Sequence, residues 1–352
     1  MYEAQFYEKI ADKKVRCNLC AHHCIVKNSA RGICGVRENQ GGTLYTLTYN
    51  RLISASIDPV EKKPLYHFLP GSRAYSFCTM GCNFGCMFCQ NADISQAGKT
   101  QDGSDKRPPI LGDDFPPASI VKQALKSDCQ SIAYTYSEPT VFYEYMFDTA
   151  RLASEKGLKN IFVTNGYITE EPLRKIAPYI QAANIDLKSF SDDFYARTCK
   201  ARLQPVLETI KRMHDLGIWI ELTTLLMVGE NDSPDEIHEL ARWIAGISKD
   251  IPWHVSAFHP AYKMQDLPPT PVKNIVQAIE IGRAEGLHNV YAGNIGGDEY
   301  QNTVCSACGS VLIERTGSYQ VTSHLKKNRL QRGSPQSAAS CPSCKAPVAV
   351  RL

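Results

Sequence analysis

The chain has 352 residues, 43% of them hydrophobic and 21% charged, which suffices for one large packed domain with small appendages and argues against wholesale disorder. Its 39 basic and 36 acidic residues leave a formal net charge of +3, too little surplus to predict a nucleic-acid partner or an anionic membrane surface. No apolar run approaches the roughly 18 residues of a membrane span, and the N-terminal stretch MYEAQFYEKIADKKVRC is charged where a signal peptide would be apolar, so a cytoplasmic protein is expected.

In a reducing compartment the fourteen cysteines are metal ligands or redox groups rather than disulfides. Residues 1–38 form a cysteine-rich segment in which Cys17, Cys20, Cys24 and Cys34 make a four-thiolate set, with His22 and His23 as spare ligands. Zinc and an auxiliary iron–sulfur cluster both fit it, and the segment is too short to fold on a core of its own. Residues 39–72 follow as a strand pair turning near Asn50 and a proline-rich connection.

Residues 73–295 alternate short apolar runs with helical ones. Strands are expected at Ala74–Phe77, Ser131–Tyr134, Asn160–Val163, Ala183–Leu187, Trp219–Leu226 and His254–Phe258. Between them, Pro139 suits a first helical turn, Gly217 stops the helix of Leu203–Leu216, and Ser233 with Glu236 reads as a capping box. Such alternation implies a parallel sheet with right-handed crossovers, either open or curled into a partial barrel. Residues 296–352 leave the pattern. There Cys305, Cys308, Cys341 and Cys344 read as a zinc-ribbon-like module around a flexible insertion, QRGSPQSAAS, and such a module would grip a partner or cover the barrel mouth. Cys129 and Cys199 stand apart and are expected to be small buried hydrophobes.

The densest cluster is CTMGCNFGCMFC, residues 78–89. Cys82, Cys86 and Cys89, spaced C-x3-C-x2-C on a glycine-containing loop, can hold three corners of a [4Fe–4S] cube and leave the fourth iron open to a small molecule. Zinc would want a fourth protein ligand, and Cys78 is available for it, yet Cys78 ends the preceding strand and is read as standing behind the loop. This spacing after the first strand of an α/β repeat resembles the radical S-adenosylmethionine (SAM) enzymes, and GCNFGCMFCQN is similar to the pyruvate formate-lyase activating enzyme group. With CNLCAHHC…GICGVREN before it and WHVSAFHPAYKM near its end, the chain looks like the radical SAM enzymes of the AmmeMemoRadiSam system.

The resemblance implies an α/β fold, a partial (β/α)6 TIM-like barrel, with a [4Fe–4S] cluster on Cys82, Cys86 and Cys89 and SAM bound at the strand C-termini. It places Phe88, Ser137, Glu138, Asn165, Asp186, Lys188 and His259 near SAM, where YSEP stands for the group's GGEP and Tyr136 and Ser137 replace its glycines. His254 is read as structural. The activity implied is reductive SAM cleavage to a 5′-deoxyadenosyl radical that takes hydrogen from a protein or small-molecule substrate, as in glycyl-radical activation. A reduced flavodoxin or ferredoxin-type donor and AMMECR- and MEMO-type partner proteins are implied with it. The competing class is a metal-binding adaptor without turnover.

Overall fold

The computed structural model describes residues 1–99, 108–317, 319–327 and 339–352, with Lys327 by its backbone alone. Its centre is one eight-stranded sheet. Strand β1 (Ser54–Pro59) lies antiparallel at one edge; β2 (Arg73–Cys78), β3 (Ser131–Tyr134), β4 (Lys159–Thr164), β5 (Ala182–Asp186), β6 (Trp219–Leu226), β7 (Trp253–Ala257) and β8 (Val290–Gly293) run parallel in sequence order. Helices α1 (Pro117–Lys126), α2 (Tyr143–Glu155), α3 (Glu170–Ile176), α4 (Leu203–Asp215), α5 (Pro234–Ile247) and α6 (Val272–Ala284) carry the crossovers. The two edge strands are not paired with each other, so the barrel is incomplete. The six expected parallel strands are present, and Val290–Gly293 adds a seventh.

The two expected strands near Asn50 do not form a hairpin. Asn50 turns the chain at φ 63°, but Thr43–Thr46 pairs with Tyr2–Glu3 and Arg37–Gln40, whereas Ser54–Pro59 joins the barrel sheet along β2. The first of these small sheets therefore runs across residue 38.

Strand alternation sorts the side chains. Phe77, Ile132, Tyr134, Phe162, Ile185, Leu222 and Val255 face the helices in the main core. Ala74, Ala133, Ile161 and Ala182 face inward at the strand N-terminal end, where Val60, Leu65 and Phe68 of the connection pack on them. The base of the barrel is thereby filled.

The C-terminal module docks on that base and not over the mouth, for a physical reason: its polar anchors are there. Arg315, 2% exposed, donates to Tyr66 O at 2.6 Å and lies 4.1 Å from the Tyr66 ring. Arg351 exchanges backbone hydrogen bonds with His67 and Leu69, and its guanidinium sits over Trp219. Of the expected insertion QRGSPQSAAS, residues 331–338 lie outside the described residues.

His67, buried at this junction, bridges Ala349 O at 2.7 Å and Tyr291 Oη at 2.5 Å. Burial pushes its pKa down from 6.5 to about 4. Between those values the unfolded chain binds a proton on His67 that the folded chain does not, so stability falls as pH is lowered through that window. The expected loss is about 3 kcal/mol. Urea unfolding at stepped pH checks it, and His67→Gln should flatten the profile.

Candidate active site

The predicted site residues occupy loops that leave the C-terminal ends of the parallel strands, the end that forms the working mouth in barrels of this kind. The cluster loop follows β2 and is held by its backbone. Gly81 N–H donates to Ile94 O at 3.0 Å, Gly85 N–H to Cys199 O at 2.9 Å and Met87 N–H to Thr198 O at 3.0 Å. Gly81 has φ 100°, and a Cβ there would lie 2.6 Å from Val36 Cγ1 and 3.1 Å from Cys34 O. Only glycine lets the N-terminal segment sit this close to the loop. Gly85 lacks a positive φ, and its role is close approach: a Cβ would lie 3.1 Å from Lys200 Cγ.

The sulfurs of the loop turn to different partners. Cys82 Sγ accepts the Phe84 N–H at 3.3 Å and stands 3.9 Å from Asn165 Nδ2; Cys89 Sγ stands 3.2 Å from Ser95 Oγ. Cys86 faces the thiol of Cys199, whose hydrogen bond, together with burial, pushes the Cys86 thiol far up; burial does the same to Cys82. The buried rings of Phe84 and Phe88 shield the loop from water. Cys78 is elsewhere. It is the last residue of β2, fully buried, and Ser54, Lys63 and Ser137 surround its thiol, which burial pushes up to about 12.

Asp186, Lys188, Phe88 and Cys86 do come together. Lys188 Nζ donates to Asp186 Oδ2 at 2.9 Å and lies 5.5 Å from the Phe88 ring centre. Burial opposes its charge, but Asp186, Cys86 and Cys199 raise its pKa well above that of a free lysine. Their loop is stapled to α5: Ser233 Oγ caps Glu236 N–H at 3.3 Å, but the Glu236 carboxylate does not close the predicted capping box. It accepts from Ser189 Oγ and Phe190 N–H instead, holding the segment after Lys188.

Glu138 turns into the protein. Its carboxylate, 2% exposed, accepts from Thr140 N–H and Oγ, from Thr164 Oγ and from Asn165 N–H, so it braces the β3 and β4 loops against each other. Four protein donors thus hold this carboxylate, which leaves the backbone of Ser137 and Glu138 as the part of the segment open to a ligand. Ser137 Oγ donates to Thr79 O at 2.7 Å, and Asn165 Nδ2 donates to Asn83 Oδ1 at 2.8 Å. His259 is exposed, at 3.4 Å from Asn294 O, whereas His254 is buried against Glu221 at 2.7 Å, as its structural reading expects.

The sequence reading missed two groups. Cys199 was set apart, yet it lies against Cys86, on a π-turn (Tyr195–Cys199) that brackets the loop. Tyr136 takes φ 64°, a strained value for a tyrosine. Its hydroxyl donates to Asp58 Oδ2, and its ring lies 4.2 Å from Lys63 Nζ, itself paired with Asp58 at 2.5 Å. A tyrosine where the resembled motif has glycine was the available signal.

The N-terminal segment lies beside this mouth. Ala21 N–H donates to Tyr167 O and Thr169 N–H to Leu19 O, and His22 Nε2 stands 2.9 Å from Asn83 O. Cys17, Cys20, Cys24 and Cys34 line one cavity, whose wall includes Asn83 of the cluster loop. At the other end of the chain, Cys305, Cys308, Cys341 and Cys344 gather their sulfurs within 4.8 Å of one another.

A sequence model of the radical SAM superfamily matches residues 76–244, and that part of the chain is a radical SAM domain. Over 316 residues it is 45% identical to an uncharacterised protein of Methanocaldococcus jannaschii, covering 90% of this chain and 92% of the relative. A more distant protein of the same organism, named as a glycyl-radical enzyme activating enzyme, is 23% identical over 51% of this chain and 65% of its own length. Among solved structures, a domain of a pyruvate-formate lyase-activating enzyme from Bacteroides vulgatus aligns at TM-score 0.42 and 18% identity, over 47% of this chain and 99% of that one. A radical SAM methyltransferase from Sphaerobacter thermophilus aligns at 0.47 and 18%, over 68% and 70%. Such a domain implies a [4Fe–4S] cluster and SAM. The soft donors of the loop, its fixed backbone and its apolar cover fit a cluster, which would draw each sulfur off its present partner.

Proposed function

We propose that this chain is a radical SAM enzyme in which Cys82, Cys86 and Cys89 hold the cluster. The observation that carries the reading is the placement of all three on one anchored loop at the C-terminal end of β2, with Cys86 beside the Asp186–Lys188 pair. When bound and reduced, the cluster supplies an electron that cleaves SAM to methionine and a 5′-deoxyadenosyl radical, which abstracts hydrogen from substrate. The protein groups orient and shield it. Lys188 offers a cation toward the SAM carboxylate, Asp186 an acceptor toward its ribose, and the backbone of Ser137 and Glu138 contacts toward its amino group. Phe88 keeps water from the loop, Asn165 sets its position through Asn83, and His259 marks the rim beside the adenine.

Cys305, Cys308, Cys341 and Cys344 hold zinc in this reading. Their Sγ–Sγ separations include 3.6 and 3.7 Å, close to the edge of a tetrahedron built on Zn–S bonds of about 2.3 Å. A reduced flavodoxin or ferredoxin-type protein supplies the electron. The relative named for glycyl-radical activation favours a protein substrate, and the resemblance to the AmmeMemoRadiSam system makes AMMECR- and MEMO-type proteins the partners to try first. No helix among the described residues is long and apolar enough to cross a membrane. Anaerobic reconstitution with iron, sulfide, SAM and dithionite should release 5′-deoxyadenosine and methionine in equal amounts. A chain that takes up its iron and never cleaves SAM is the adaptor instead.

A further inference from the structure

The two four-thiol sets differ in geometry. In the C-terminal set all four sulfurs lie within 4.8 Å of one another, and among the described residues no three ligands of the N-terminal set meet that measure. Cys17, Cys20, Cys24 and Cys34 instead stand around a small cavity, which they line together with Arg37 and Asn83. A tetrahedral zinc brings its thiolates nearly into contact and leaves no such space between them. A cluster sets its four thiolates on separate irons, further apart, with inorganic sulfide between.

The donors around the cavity point the same way. Backbone N–H groups of His22, Ile33 and Val36 face Cys20, Cys24 and Cys34 and favour their thiolates against the burial that opposes them. Beyond these, Arg37 Nε and Asn83 Nδ2 belong to side chains 2% and 1% exposed, line the cavity, and have no hydrogen-bond partner among the described residues. The Asn83 orientation is fixed, because its Oδ1 accepts from Asn165. Two buried N–H groups left over after the thiols are served need acceptors. A lone zinc offers none besides its thiolates, whereas the sulfides of a cluster accept hydrogen bonds.

We infer that Cys17, Cys20, Cys24 and Cys34 hold a second iron–sulfur cluster, beside the loop of Cys82, Cys86 and Cys89 and sharing Asn83 as a wall. The inference does not depend on SAM chemistry. It is tested on the full chain with Cys82, Cys86 and Cys89 all replaced by alanine, purified anaerobically. The variant should retain between about two and four irons with matching acid-labile sulfide, the broad visible absorbance of a cluster, and zinc at about one equivalent. Adding Cys17→Ala and Cys34→Ala should remove the remaining iron and leave the zinc. A triple variant free of iron overturns the assignment, whether it carries one zinc or two. Should that variant fail to fold, the wild-type chain decides: iron beyond the four of one cube, with one zinc, supports the second cluster, and four irons with two zincs overturns it. Failure of the radical SAM reading shows separately, as iron-replete protein that releases no 5′-deoxyadenosine.

Discussion

Cys86→Ser protein should form no 5′-deoxyadenosine and lose the iron of the SAM cluster, while Cys78→Ser protein keeps both near wild-type levels. The four cysteines of residues 78–89 look equivalent in the sequence, and the fold separates them. Cys78 belongs to β2 and points among Ser54, Lys63 and Ser137, whereas Cys86 has Cys199, Lys188 and Asp186 around it. Serine is nearly isosteric there, and two hydroxyl-bearing neighbours can partner it, so its cost is small. Cys86 is fixed between the backbone bonds of Gly85 and Met87 to the Tyr195–Cys199 turn. A hydroxyl in its place is a hard, poorly ionised donor that cannot replace a thiolate on iron. Iron content and SAM cleavage read together make the comparison, and a Cys78→Ser chain without its cluster would show that the run is divided wrongly.

Glu144→Ala should destabilise the protein by about 3–5 kcal/mol, the usual cost of leaving one charge of a buried pair alone. Arg37 and Glu144 are 2% and 0% exposed at the side chain and meet in a fork, Nη1 to Oε2 and Nη2 to Oε1, each at 3.0 Å. Gln5 closes the arrangement, donating N–H to Glu144 and accepting from Arg37, each at 2.7 Å. Burial alone would weaken the guanidinium charge, and Glu144 together with Cys17 and Cys34 more than offsets that. The pair joins the N-terminal segment to α2 of the barrel, so the loss should appear first as loosening of that segment. Replacing both residues with apolar ones, Arg37→Met with Glu144→Leu, should recover most of the stability. Urea midpoints of the three chains provide the measurement. A loss below about 1 kcal/mol for Glu144→Ala would mean water reaches Arg37.

Much of this architecture is legible from the sequence because each parallel strand is a compact apolar run closed by a polar turn. The expected strands match the observed ones to within a residue or two, and the loops that carry cysteines, YSEP and DLK fall at strand ends as expected. Val290–Gly293 escaped although it is no shorter than the expected Ser131–Tyr134, because its alanine and glycine carry little strand signal. The partner of Ser54–Pro59 escaped for another reason: strand propensity says that a segment extends, not what it pairs with. At the site, Glu138 looks like a free carboxylate until Thr140, Thr164 and Asn165 are folded around it, and those donors come from the ends of two different β/α units. Cys199 has no local pattern, and only the packing of the Tyr195–Cys199 turn on the cluster loop gives it meaning. The docking of the C-terminal module on the base rests on single polar anchors such as Arg315, which no composition argument isolates.

That plugged base has a kinetic consequence. With Val60, Leu65 and Phe68 filling the strand N-termini and Arg315 sealed behind Tyr66, nothing passes through the base. Traffic to the interior is left to the mouth and to the side where the edge strands do not pair. A molecule seated at the mouth therefore stands in the path of the next.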